Sequence, residues 1–219
     1  MLFPKLSGKS VGYVNLDTEA RLWIKERGLG TEQNPLIDSS ICQTMVDDVH
    51  KKYGLDYSYG GWFEDRSFLW KGSYLDKTGT YTHLGVDFNA PAFTEIALDF
   101  DGEVVLVGDD HPLDGGWGPH VVVKHQNLPL YFIFAHLDRD PQCAIGDILK
   151  KDQIFAKVGK APYNGNWFSH LHLQAIEQSF FDQLIANNAF DSLDGYGLVK
   201  DTEANARRFK DPLAYVELE

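Results

Sequence analysis

The sequence predicts a mainly β fold of the α+β kind, an antiparallel sheet with helical and loop elaborations at both ends. Three observations carry that prediction. From about Tyr81 the chain runs in short β-like stretches, at 103–107, 120–125, 131–136 and 170–176. Turn signals punctuate them: Asp101-Gly102, Asp114-Gly115-Gly116 and Asn164-Gly165. Several short strands at such spacing indicate an antiparallel sheet or sandwich. Helical periodicity appears on either side of this region, once before it and once after.

Taken in order, residues 1–33 are mixed, with a short helix expected at 18–27. Ile37, Ile41, Met45 and Val49 then recur at four-residue spacing, with Asn34-Pro35 before them and Gly54 after. That is an amphipathic helix over 36–53 with a start and a stop. Residues 57–71 are rich in aromatics and glycine, with Gly60-Gly61 as a turn. After Glu177 a second helical stretch (180–187) leads to a polar loop and a closing Asp211-Pro212-Leu213. The expected organisation is an N-terminal elaboration over 1–73 and a β domain over 74–219, the latter carrying an insertion at about 178–210.

With 20 Lys and Arg against 32 Asp and Glu, the chain has a formal net charge of -12. Nucleic acid needs a cationic face to displace counterions, so it is not an expected partner. No stretch approaches the roughly 18 apolar residues of a membrane span, so no membrane partner is expected either. The first residues develop no apolar core or cleavage site of an export signal, which points to the cytoplasm unless a leader has been removed. Cys42 and Cys143 stand too far apart for a zinc knuckle and too few for a disulfide framework. Two reduced thiols or one disulfide both satisfy the sequence.

Three segments concentrate chemistry: residues 82–88, 134–137 and 169–174. As a strand, the first puts His83, Gly85 and Asp87 on one face and Leu84, Val86 and Phe88 on the other. Gly85 clears the space between imidazole and carboxylate. The third repeats the logic, with His170, His172 and Gln174 opposite Leu171, Leu173 and Ala175. Singly, each histidine has a structural alternative. Two histidines and a carboxylate, with a fourth position for water, form a common catalytic zinc set.

The run His83-Leu84-Gly85-Val86-Asp87-Phe88-Asn89-Ala90-Pro91 opens an ordered series. Asp101-Gly102-Glu103-Val104, Gly116-Trp117-Gly118, His125, Phe134-Ala135-His136-Leu137, Gly146-Asp147 and His170-Leu171-His172 follow it. Together they resemble the M23 (lysostaphin and LytM-like) metallopeptidase family over roughly residues 74–177, and Asp211-Pro212-Leu213 resembles its closing segment. The resemblance implies an antiparallel β metallopeptidase core with zinc as cofactor, and His83, Asp87 and His172 as its ligands. It also implies that His136 and His170 are the further catalytic histidines, and that the substrate is a peptide or muropeptide cut by endopeptidase action. With no His-Glu-x-x-His present, His170 is the expected general base, and His136 orients the water or stabilises the oxyanion. Phe93 and Asp152 stand where the family commonly has glycine.

Tyr74, Tyr81 and Arg66 either reach the cleft or serve in aromatic packing and a surface salt bridge. Tyr74 is the one carried forward as substrate-binding. His50 is expected as a cation at a helix end, His111 at the surface, and His120 and His125 in structural roles. Trp62, Trp70, Trp117 and Trp167 wall a groove or fill the core. A silent M23-like binding module is the rival reading, disfavoured because all five site positions are present. A lipoyl-type carrier barrel lacks its lysine beside methionine.

Overall fold

The computed structural model describes residues 1–29, 33–110 and 115–218. In chain order its strands are β1 (Val11–Tyr13), β2 (Tyr57–Gly60), β3 (Thr82–His83), β4 (Val86–Asn89) and β5 (Glu95–Ala97). β6 (Gly102–Asp109), β7 (Pro119–His125), β8 (Leu130–Ala135), β9 (Ile148–Leu149) and β10 (Ile154–Lys157) follow. β11 (Leu171–Glu177), β12 (Tyr196–Gly197) and β13 (Phe209–Lys210) complete the set. The helices are α1 (Leu16–Glu26), α2 (Ser39–Tyr53), α3 (Gln178–Ala186) and α4 (Thr202–Arg208). The mainly β prediction holds. Among the described residues, one sheet runs β1-β2-β4-β11-β8-β7-β6-β9, with β13 also on β11. All its pairings are antiparallel except β1 on β2, which is parallel and was not foreseen.

Alternation along the central strands sorts the sheet into two faces. Val86 and Phe88, Val121 and Val123, Phe132 and Phe134, and Leu171, Leu173 and Ala175 all enter one core, which the β5–β10 pair covers with Ile96, Phe155 and Ala156. Each such Val, Leu, Ile or Phe side chain contributes about 1.5–3 kcal/mol when fully buried. The opposite face is split. Val122, Ile133 and Ile176 meet Phe181 of α3 and Phe209 of β13, whereas the end nearer Asp87 and His172 carries polar side chains. The apolar layer stops where the polar cluster starts.

The helices form a third cluster in which Cys42, Met45, Val46 and Val49 of α2 pack with Trp23 of α1, Trp70 and Phe168. The helix expected over 36–53 starts later than foreseen. Asn34 caps a separate single turn at Pro35–Ile37, and the Asp38 carboxylate accepts from the Ser40 and Ile41 amides to start α2. Gly54 ends it in the left-handed conformation glycine adopts without strain. Phe93 and Asp152, in the positions where glycine was expected, also have left-handed backbones (φ of 66° at each). The turn geometry is therefore kept at the cost of strain. Both cysteines are free. No described helix is long and apolar enough to cross a membrane.

Candidate metal centre

Register brings the polar residues together. Antiparallel pairing sets His172 of β11 directly beside Asp87 of β4 and, on its other side, beside Ala135, the residue before His136. His83 arrives differently. The strand expected over 82–88 is interrupted at Leu84-Gly85, and β3 pairs with Tyr196 of β12 instead of continuing into β4. Leu84 correspondingly joins the α3-side cluster while Val86 and Phe88 stay in the main core. The break still delivers the His83 ring to Asp87. A Cβ at Gly85 would stand 2.7 Å from two atoms of the His172 ring, so only glycine leaves that imidazole its place.

The donor atoms converge closely. His83 Nε2 lies 3.1 Å from His172 Nδ1, and Asp87 Oδ1 lies 3.2 Å from the first and 3.0 Å from the second. His83 Nδ1 donates to the Gly61 carbonyl and His172 Nε2 to Gln174 Oε1. With the ring protons turned outward, three lone-pair donors face one another. Protonation does not relieve this at His83, whose pKa is pushed below the ordinary histidine value by burial. Zinc bonds of about 2.0–2.1 Å at tetrahedral angles place their donors about 3.3–3.4 Å apart. A triangle of 3.0–3.2 Å needs only slight opening to hold such an ion. The two nitrogens and one carboxylate oxygen are the donor chemistry zinc takes, and the outward hydrogen bonds fix each ring's tautomer. The residues fit the metal.

His170 and His136 flank this triangle. The His170 Nδ1 donates to Phe168 O, leaving Nε2 aimed inward, 3.7 Å from Asp87 Oδ1. Burial lowers its pKa to about 4. The His136 Nδ1 donates to Asn164 O, and burial, followed by the neighbouring His170 and His172, holds its pKa well below the usual range. Its backbone φ of 60° is strained for a side-chain-bearing residue, a cost often found where a ring must be aimed. The two ring centroids are 4.5 Å apart.

Arg66 belongs to neither alternative foreseen for it. It is fully buried, with Nη2 2.9 Å from Glu64 and Nη1 3.8 Å from Asp87 Oδ2, the carboxylate oxygen turned away from the histidines. Burial alone raises an aspartate, yet the surrounding His83 and His170 hold Asp87 well below the carboxylate range. His50 is also corrected. It is half-buried with Nε2 2.8 Å from Ser58 Oγ, and burial lowers its pKa, so it is a neutral partner and not a helix-end cation. His120 and His125 are structural, stacked on Phe190 and Phe100. His111 lies outside the described residues.

A cavity of about 370 Å³ opens over the centre, lined by Trp70, Trp117 and Trp167 together with Tyr74. Trp62 stacks on Phe63 instead. The Tyr74 hydroxyl reaches Asp194 at 3.3 Å, and burial and that carboxylate raise its pKa. One wall is made by residues that the sequence did not single out. Leu193, Asp194, Gly195 and Tyr196, from the segment expected as an insertion, line the cavity. Leu84 N donates to Gly195 O, Trp117 Nε1 to Leu193 O and Trp70 Nε1 to the Tyr196 hydroxyl. No spacing rule connects a turn at 193–196 with a histidine more than a hundred residues earlier.

Residues 81–182 match the family model for Peptidase family M23. Among solved structures, a catalytic-domain variant of the prophage-encoded M23 protein EnpA from Enterococcus faecalis is 27% identical, covering 44% of this chain and 68% of that one (TM-score 0.38). The catalytic domain of the antimicrobial peptidase lysostaphin from Staphylococcus simulans is 18% identical, covering 79% of this chain and 96% of that one (TM-score 0.49). A zinc containing peptidase from Vibrio cholerae is 23% identical, covering 45% of this chain and 28% of that one (TM-score 0.36). No curated protein matches the chain significantly.

Proposed function

From a chain whose residues 81–182 carry the M23 peptidase match, we propose a zinc-dependent metalloendopeptidase that hydrolyses amide bonds of short peptides, peptidoglycan stem or cross-bridge fragments included. The observation that carries this is the triangle of His83 Nε2, Asp87 Oδ1 and His172 Nδ1, three lone pairs with their ring protons committed elsewhere. When bound, zinc supplies Lewis-acid polarisation of the substrate carbonyl and makes the attacking water more acidic.

The remaining work falls to the chain's own groups. Because burial keeps His170 neutral at physiological pH, its Nε2 can accept the proton of the attacking water and hold it for the leaving amine. The His136 Nε2, also a lone pair while Nδ1 donates to Asn164, accepts a hydrogen bond and so orients that water. Of the two roles foreseen for His136, orientation suits this tautomer, since an oxyanion needs a donor. The Tyr74 hydroxyl is a donor held only by long bonds of 3.3 and 3.4 Å to Asp194, and a modest turn would present it to a developing oxyanion.

The wall at 193–196 supports short substrates over a polymer, because it closes one side of the cleft over the histidines. Rates on purified sacculi and on soluble stem peptides, compared at matched bond concentration, test this. Faster cleavage of the soluble peptides is expected. Efficient release from sacculi with little action on soluble fragments would replace it with a wall-lytic function.

A further inference from the structure

We infer that the cleft selects substrates bearing a primary ammonium group near the scissile bond, through Asp110, Asp191 and Asp194 set among aromatic side chains. This rests on the peptidase reading and adds its substrate class. The cavity over the histidines is lined by these three carboxylates in addition to Asp87, and no Lys or Arg lines it among the described residues. An acidic chain carries many such groups by chance, so their setting decides the matter. Asp194 is half-buried and burial raises its pKa, so a cation brought beside it would favour its charged form. Its partners are the Tyr74 hydroxyl and the Tyr196 amide, which donate hydrogen bonds without neutralising it. Asp110, an exposed residue, accepts from the Trp117 amide.

The second observation is independent of charge. Trp70, Tyr74, Trp117, Trp167 and Tyr196 line the same cavity. Aromatic rings attract cations through the ring quadrupole, and a cavity that combines them with carboxylates suits an ammonium group better than an anionic one. A cleft of one sign with low-dielectric walls also focuses its field on the entering ligand. In a peptide, that ammonium comes from the amino terminus or from a lysine-type side chain.

The test uses the zinc-loaded full chain and three peptides of one sequence: unmodified, acetylated at the amino terminus, and acetylated at the side-chain amine. Loss of the recognised ammonium is expected to lower kcat/KM at least roughly tenfold. The acetylation that produces the loss identifies the source. In the double variant Asp110→Asn with Asp191→Asn, the preference for the unmodified peptide should shrink toward unity, as it should in high salt. Equal rates on all three peptides overturn the inference while leaving the peptidase reading intact. A preference unchanged in the double variant and in salt also overturns it. Hydrolysis of none of the three removes both.

Discussion

His172→Ala is expected to lose the metal and the hydrolytic activity together. Among the described residues, His172 Nδ1 is one of three convergent donors, within 3.1 Å of the other two. Removing an outer partner of a metal ligand costs about 10–100-fold in affinity, and removing the ligand itself costs more. The fold should survive, because the neighbours of His172 along β11, Leu171 and Leu173, keep their places in the core. The expected result is a folded protein by circular dichroism that retains no zinc after desalting and hydrolyses peptide at the background rate. A variant that keeps stoichiometric zinc would remove His172 from the ligand set.

His170→Ala is expected to behave differently, although it stands only two residues away. The His170 Nε2 is 3.7 Å from Asp87 Oδ1, outside the tight triangle, and its other nitrogen is tied to Phe168 O. Zinc content should therefore stay near the parent level while turnover falls by about 10²–10⁴, the usual contribution of a positioned general base. The measurement is metal content and kcat on the same preparation. Loss of zinc as complete as in His172→Ala would move His170 from base to ligand and overturn the division of roles.

The two-residue separation of these histidines illustrates what was legible in the sequence. Strand periodicity and the His-x-His spacing identified both, since side-chain alternation is local and survives into the folded sheet. The apolar positions opposite them were equally readable, and Leu171, Leu173 and Ala175 enter the core as alternation requires. His83 was found for a reason only partly right. The periodicity implied one strand through Asp87, but the chain breaks at Gly85 and reaches the same point by pairing with β12. Asp194 and Tyr196 were not readable as site members, and Arg66 was named without its burial, because nothing local distinguishes a buried arginine from an exposed one. Their positions depend on how loops at 61–66 and 193–196 cross β3, a long-range outcome. The left-handed turns at Phe93 and Asp152 lie between these cases. A backbone demand was present in both, but the residue that usually reveals it was not.

His83, Asp87 and His172 are proposed to form a zinc centre. Metal analysis of the purified protein, prepared without chelator, tests it most directly. About one zinc per chain is expected, removable by chelation together with activity, and both restored by added zinc. A chain that carries no stoichiometric metal and takes up none from added zinc would contradict the account.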